Sequence, residues 1–337
     1  MVRKIRINLA LVGATGLVGR TMLAVLEERA LPVAEIIPVA SPRSRGAVLQ
    51  YCGREFTVST LEDGLWRGAD AALLSAGAGV SREWIPELTK EGITCIDNSS
   101  AFRQTEGVPL VVPEVNAEAI GGNHRLIANP NCSTIQLVVI LAPLERAFGL
   151  EKVVVATYQS ASGVGQKGKA RLQDEIAGEF SQVSPFPYTL FDNVIPGIGD
   201  LVENGYYFEE WKLVQESRKI LGLPDLRIFP TAVRVPVRHC HGEVVHMEFR
   251  KDVDVPKARE VLKRSPGVVL QDDPEQNVYP LPLKCIGKDD VFVGRIRQIP
   301  GENKTLDLWI VADNLRKGAA TNAVQILECV IEKGLLK

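Results

Sequence analysis

The chain has 337 residues, a length that predicts about two domains rather than a single core. With 45% hydrophobic and 24% charged residues it has the composition of an ordinary soluble globular protein, and a formal charge of -2 gives no basis for a nucleic-acid or membrane-surface partner. The six cysteines, at 52, 95, 132, 240, 285 and 329, form no C-x-x-C pair. No apolar run is long enough to cross a bilayer, and Met1–Arg6 lead into a strand rather than a signal-peptide core, so the expectation is a cytoplasmic protein with reduced thiols.

Ile5–Val12 alternates loosely and then turns fully apolar, which predicts a buried parallel strand. It runs into Gly13-Ala14-Thr15-Gly16-Leu17-Val18-Gly19, after which a helix is predicted from about Leu17 to Glu28. Strand, glycine turn and helix in that order set backbone N–H groups and a helix N-terminus against a pyrophosphate, the arrangement of a Rossmann-type dinucleotide-binding domain. The second strand, Glu35–Ala40, ends in Ser41-Pro42-Arg43-Ser44-Arg45-Gly46, where an NAD-specific fold usually offers an acidic residue to the ribose. Arginines and a serine hydroxyl suit a 2′-phosphate instead, so NADP(H) is expected and Arg43 and Ser44 are its candidate ligands; the alternative is a solvated basic loop. Further parallel strands are predicted at Ala71–Ser75 and Thr94–Asp97, with the turn Ser75-Ala76-Gly77-Ala78-Gly79 at the ligand-facing end of the sheet.

The stretch Ala128-Asn129-Pro130-Asn131-Cys132-Ser133-Thr134 places one cysteine where an extended segment meets a mostly buried helix carrying Ile135, Leu137, Val138, Val139, Ile140, Leu141, Leu144 and Phe148. Asn131, Ser133 and Thr134 are helix-capping types, so the Cys132 thiol is expected beside unpaired backbone N–H groups that favour a thiolate and can cradle an oxyanion. Cys132 is the candidate nucleophile; a small buried apolar cysteine is the alternative.

After Leu150 the texture changes to alternating strands, Lys152–Ser160, Thr231–Cys240, Glu243–Arg250, Val291–Ile299 and Leu306–Ala312, which predict a second, α+β domain on a mixed or antiparallel sheet. Helices are predicted at Gly168–Ser181, Phe208–Leu221 and Val255–Lys263. A last helix, Gly318–Lys333, is expected to return to the first domain. The expected division is 1–131 with 316–337 for the NADP-binding domain and 132–315 for a catalytic and dimerisation domain.

His241, before a turn into the next strand, can exchange a proton near neutral pH. On a strand His239 and His241 share a face and Cys240 points away, so a zinc site from these residues is not expected. His239 or His246 can instead be structural. Lys212, Glu216 and Lys219 are spaced i, i+4 and i+7 on one helix face, which suits either a binding site or an exposed salt-bridged stripe. Arg234 has the fork that binds a carboxylate through two hydrogen bonds.

A nicotinamide cofactor with a cysteine nucleophile implies hydride transfer at a thioester or thiohemiacetal. At this point the chain resembles the aspartate-semialdehyde dehydrogenase family from Gly13 to Asn322. The matching stretches are Gly13-Ala14-Thr15-Gly16, Ser99-Ser100-Ala101-Phe102-Arg103, Val111-Val112-Pro113-Glu114-Val115-Asn116, Asn129-Pro130-Asn131-Cys132-Ser133-Thr134, Ser160-Ala161-Ser162-Gly163-Val164-Gly165, Asn193-Val194-Ile195-Pro196 and Asp313-Asn314-Leu315-Arg316-Lys317-Gly318-Ala319-Ala320. The resemblance implies reductive dephosphorylation of L-aspartyl-4-phosphate by NADPH to L-aspartate 4-semialdehyde, in lysine, threonine, methionine and diaminopimelate biosynthesis.

It implies Cys132 as nucleophile and His241 as acid/base, with Arg103, Asn131 and Lys219 at the phosphate and Gln159, Glu216 and Arg234 orienting the substrate. Cofactor contacts fall on Gly13, Thr15, Gly16, Leu17 and Val18, on Arg43 and Ser44, on Ser162 and Gly163, and on Asn314. A homodimer is implied in the same way. Arg238-His239-Cys240 departs from many members, which carry less charged residues there. N-acetyl-γ-glutamyl-phosphate reductase shares the cysteine logic but usually has glycine before the nucleophile, so Asn131, with Gln159 and the Arg234–His241 segment, favours aspartyl phosphate. A non-catalytic NADP sensor needs neither Cys132 nor His241, and a short-chain dehydrogenase needs a Tyr-x-x-x-Lys that none of the six tyrosines provides.

Overall fold

The structure, a computed structural model, describes residues 6–181 and 183–336. Ile5, where the sequence reading starts its first strand, and the basic segment before it lie outside the described residues. The chain divides into two compact units, Met1–Pro130 with Ala319–Lys337, and Asn131–Gly318. No helix among the described residues is long and apolar enough to cross a membrane.

In the first unit the strands are β1 (Ile7–Val12), β2 (Val33–Val39), β3 (Val48–Tyr51), β4 (Arg54–Thr57), β5 (Ala71–Leu74), β6 (Thr94–Asp97) and β7 (Leu126–Ala128). Five of them form a parallel sheet in the order β2-β1-β5-β6-β7, while β3 and β4 pair as a separate antiparallel hairpin. These short strands are apolar on both faces because both faces are covered. Leu9, Leu11, Ala71, Leu73 and Ile96 meet Met22 and Leu26 of the helix Leu17–Glu28 together with Val324 and Leu327 of the C-terminal helix Thr321–Glu332. Ala10, Val12, Ala72, Leu74 and Cys95 meet Trp66, Ile85 and Leu88 on the other side. The predicted return of the last helix is therefore found, and a two-pronged Arg29–Glu328 pair at 2.7 and 2.6 Å fastens it to the first helix. Its start differs from the prediction: Arg316–Ala320 is a π-helical turn, and α-helix begins at Thr321.

The second unit is built on a six-stranded mixed sheet of β8 (Leu150–Gln159), β9 (Arg227–Arg234), β10 (His241–Phe249), β11 (Val268–Leu270), β12 (Val291–Arg297) and β13 (Thr305–Ala312), in the order β11-β12-β13-β10-β8-β9. β10 is antiparallel to both β8 and β13, and β9 runs parallel to β8. The helix Cys132–Phe148 crosses β8, β10, β12 and β13, so the alternating inward residues of β10 from His241 to Phe249 are buried beneath it. The helices Phe208–Leu221 and Val255–Lys263 pack on β9 and β11. The opposite face carries Val154, Tyr158, Phe229 and Val244, all exposed.

Several predicted elements stop early: Gly168–Ser181 is helical over Gln166–Ile176, and Val291–Ile299 is a strand only to Arg297. Thr231–Cys240 is a strand only to Arg234. Pro236 has no N–H to continue a ladder, and Cys240 takes a left-handed φ of +67°. The carbonyls of Val237 and Arg238 turn instead to accept from the Ala161 and Ser162 amides, at 2.7 and 3.2 Å. His239 thus lies outside any strand, which corrects the premise that it shares a strand face with His241.

Candidate active site

In the first unit, β2 and β5 lie on opposite sides of β1, so the chain reverses direction across the sheet just beyond the carboxyl end of β1. Such a reversal opens a crevice for a ligand, and the glycine turn occupies it. Gly13 has φ +88°, and a Cβ there would stand 2.8 Å from Ser75 Oγ and 2.9 Å from its carbonyl carbon, so only glycine fits. Gly16 caps the helix Leu17–Glu28, whose first turn holds no acidic residue to oppose an anion. Thr15 Oγ1 donates to Ser44 Oγ at 3.2 Å, tying the glycine turn to the loop after β2. In that loop Arg45 is paired with Asp63 at 2.6 Å, whereas Arg43 makes no ion pair among the described residues and is exposed on the turn Pro42–Ser44. A cavity of about 240 Å³ lies here, lined by Val12, Gly13, Pro42 and Trp84 among others. A groove of about 440 Å³ along β2 and β4 is larger but is lined by neither cysteine nor histidine, so size does not locate the chemistry.

Arg103, in the same unit, is buried: Nε donates to the Asn129 carbonyl and Nη2 to the Asn98 carbonyl, both at 2.9 Å.

In the second unit Cys132 is the first residue of its helix. Asn131 caps it, with Oδ1 accepting from the Ser133 amide at 3.1 Å, and the Asn131 amide donates to Glu216 Oε2 at 2.7 Å. A Cβ on Gly318 would stand 2.8 Å from Cys132 Cβ, so the end of the unit closes tightly on the nucleophile. His241 opens β10 and is fully buried. Its Nδ1 accepts from the Ser160 amide at 3.0 Å, and its Nε2 has no hydrogen-bond partner among the described residues. Burial first and then the Arg234 charge push the imidazole down to about 3, against weaker opposition from Glu209 and the Cys240 carbonyl.

Arg234 ends β9 and donates from Nη1 to the Ser160 carbonyl at 2.7 Å. Burial lowers its pKa while the charges of Glu209 and Cys132 raise it, so guanidinium and thiol lie within electrostatic reach. A Cβ on Gly163 would stand 2.8 Å from Arg234 Nη1 and 3.4 Å from His241 Nε2, and the residue is exposed, so both groups look onto an opening kept clear of side chains. Gln159 Nε2 donates to Ser133 Oγ at 2.9 Å and to Glu209 Oε1 at 3.1 Å. Asn314 Oδ1 accepts from Ser160 Oγ, Ser162 Oγ and the Cys240 amide, at 3.2, 3.0 and 3.0 Å.

Asn131, Cys132, Gln159, Ser162, Gly163, Glu216, Arg234, His241 and Asn314 thus belong to one bonded or contacting group. Lys219 stands one turn beyond Glu216, whose charge opposes the lowering of its pKa by burial. The lysine–glutamate stripe is not an exposed face: Glu216 is buried, and Glu209 on the same face pairs with Lys212 at 2.5 Å. Burial alone would raise the Glu209 carboxyl, but Lys212, Gln159 and Arg234 hold it at about 2. Sequence reasoning passed over Glu209, although it extends the stripe by one turn, and it passed over Ser160, whose backbone does the work. His246 pairs with Asp307 at 2.8 Å, and Cys240 packs with Cys285, Phe292 and Val311. Among the described residues no three His, Cys, Asp or Glu side chains gather where a metal could sit.

Two family models match the chain: semialdehyde dehydrogenase, NAD binding domain, over residues 8–123, and semialdehyde dehydrogenase, dimerisation domain, over residues 141–317. The aspartate-semialdehyde dehydrogenase of Aquifex aeolicus is 47% identical, covering 98% of this chain and 99% of the relative. That of Bacillus subtilis is 43% identical, covering 98% and 99%. A crystal structure of aspartate semialdehyde dehydrogenase II complexed with ASA from Vibrio cholerae is 42% identical, covers 97% of this chain and 99% of that one, and superposes with a TM-score of 0.94.

Proposed function

Since the chain belongs to the aspartate-semialdehyde dehydrogenase family, we propose that it converts L-aspartyl-4-phosphate to L-aspartate 4-semialdehyde and inorganic phosphate, using NADPH, for lysine, threonine, methionine and diaminopimelate biosynthesis. The observation that carries this reading is the surroundings of Cys132: an Asn131-capped helix N-terminus and the Arg234 charge both favour negative charge at the sulfur. The thiolate attacks the acyl carbon and displaces phosphate, leaving a thioester. Arg103, Asn131 and Lys219 receive the phosphate. Gln159, Glu216 and Arg234 orient the amino-acid end, with Arg234 on the carboxylate.

The cofactor's pyrophosphate belongs at the Gly13–Val18 turn, its 2′-phosphate at Arg43 and Ser44, and its nicotinamide end at Ser162, Gly163 and Asn314. The cramped glycine turn and the exposed Arg43, which makes no ion pair among the described residues, are the features of this chain that fit it. When bound, NADPH supplies the hydride that reduces the thioester. His241 governs the proton and the charge at the reacting carbonyl.

The exposed apolar row Val154, Tyr158, Phe229 and Val244 supports a homodimer through the outer face of the second unit's sheet. Six cysteines without a disulfide support a cytoplasmic setting.

The deciding assay follows NADPH formation from aspartate semialdehyde and phosphate, with N-acetylglutamate semialdehyde as competitor, for the wild type and Cys132→Ser. Turnover of the aspartyl substrate is expected, and its loss in Cys132→Ser with NADP binding retained. Preference for the acetylated substrate would mark a reductase of acetylglutamyl phosphate, and NADP binding with no turnover of either would mark a sensor.

A further inference from the structure

We propose that Asn322, at the start of the C-terminal helix, is a positioning residue for Arg103: through the carboxamides of Asn129 and Asn98 it sets where the guanidinium stands at the phosphate. The inference rests on the reading above that Arg103 receives the phosphate. All the residues it uses belong to the first unit.

Arg103 is held by two backbone carbonyls, those of Asn129 and Asn98, which accept from Nε and Nη2 at 2.9 Å each. Both carbonyls belong to asparagines whose side chains are bonded to each other, Asn129 Nδ2 donating to Asn98 Oδ1. The acceptors of the guanidinium are thus cross-linked by their own carboxamides. A guanidinium is a rigid fork, so the spacing and tilt of those two peptide groups decide where its charge sits.

The sheet fixes them only in part. The Asn98 amide donates to the Leu74 carbonyl at 2.9 Å and the Asn129 amide to the Asp97 carbonyl at 2.8 Å, which carries the pairing of β5, β6 and β7 one residue past the strand ends. Beyond that point the hold passes to side chains. Asn322 Nδ2 donates to Asn129 Oδ1 at 2.7 Å and to the Val111 carbonyl at 2.9 Å. A carbonyl can only accept, so Val111 fixes which end of the Asn322 carboxamide is the nitrogen. The bonds then run head to tail from Asn322 to Asn129 to Asn98, each nitrogen on the next oxygen.

Asn129 and Asn322 are both fully buried. Leucine has nearly the same shape and is spared the cost of taking a carboxamide out of water, so packing gives no reason for either residue. A chain of donors and acceptors specifies a single arrangement, which an apolar contact does not. Its far end is the cation that the reaction needs in one place.

The test uses the full chain in the phosphorolytic direction, titrating inorganic phosphate and aspartate semialdehyde separately. Asn322→Leu is expected to raise the KM for phosphate roughly tenfold and to leave that for the semialdehyde at its wild-type value, because a displaced cation weakens only the ligand it faces. Asn98→Ala, at a half-buried position, is expected to do the same and carries the test should Asn322→Leu fail to fold. In the Arg103→Leu background either change is expected to raise the phosphate KM no further, since no guanidinium remains to be placed. A wild-type phosphate KM in both variants, equal rises in the two KM values, or the same rise on top of Arg103→Leu would overturn the proposal. A wild type that turns over no aspartate semialdehyde, or an Arg103→Leu variant with the wild-type phosphate KM, would instead remove the phosphate reading, and the positioning role with it.

Discussion

Substituting Gly318 by alanine tests how closely the nucleophile is held. The added Cβ would stand 2.8 Å from Cys132 Cβ and 3.3 Å from its Cα, and ordinary contact begins near 3.4 Å, so one partner must retreat by about 0.6 Å. Gly318 is itself anchored, its amide donating to the Asp313 carbonyl at 3.1 Å, so Cys132 takes up part of the shift. The displacement therefore reaches the sulfur. Misplacing a reacting atom by about 1 Å costs on the order of 100-fold, so Gly318→Ala is expected to lower kcat by roughly 10- to 100-fold. Overpacking of this kind costs about 1–3 kcal/mol, which lowers Tm by roughly 2–10 °C in a unit of this size and leaves the protein folded at 25 °C. The assay pairs phosphorolytic turnover with the rate of Cys132 alkylation by iodoacetamide. Wild-type values for both would show that the approach of Gly318 has no bearing on the position of the thiol.

Arg43→Ala is expected to weaken NADPH far more than NADH, since only the former has a 2′-phosphate to lose; an equal loss for both in a binding titration would reassign Arg43 to the loop. Arg103→Leu is expected to raise the KM for phosphate and leave that for the semialdehyde, and Arg234→Leu to do the reverse; a loss confined to phosphate in both would move Arg234 to the phosphate site. Glu209→Gln probes linkage. The Glu209 carboxyl is held at about 2, below its unfolded value, so its stabilisation is fully present above roughly pH 5 and is lost as pH falls toward 2. The difference in unfolding free energy between wild type and Glu209→Gln, on the order of 3 kcal/mol at neutral pH, should shrink across that window, and a difference independent of pH would show that the carboxylate charge plays no part.

The glycine turn was legible because a strand, a turn and a helix each carry their own periodicity, and Leu17–Glu28, Phe208–Leu221 and Val255–Lys263 stand where their apolar spacing places them. Other features depend on partners distant in sequence. Arg234 ends its strand because Val237 and Arg238 find the amides of Ala161 and Ser162, a pairing that no local pattern encodes. The hairpin of β3 and β4 escaped notice because Cys52, an uncommon residue for positive φ, takes φ +47° at its turn. Glu209 is one of several charges on its helix, and nothing in its type announces its burial against Gln159. Ser160 acts through its amide, and every residue but proline has one, so its type gives no signal.

The second unit begins at Asn131 and ends at Gly318, and both residues adjoin Cys132, so this unit is an uninterrupted piece of chain whose two ends meet at the nucleophile. The first unit is the opposite case. Part of its core is made of Ala320, Ala323, Val324, Ile326, Leu327 and Val330, which emerge from a ribosome only after the whole second unit has been made. The unit that is begun first is therefore closed last. Until those residues arrive, Leu9, Leu11, Met22 and Leu26 lack one wall of their core, and the nascent chain presents that apolar sheet face to water or to a chaperone while residues 131–318 can already fold as a unit.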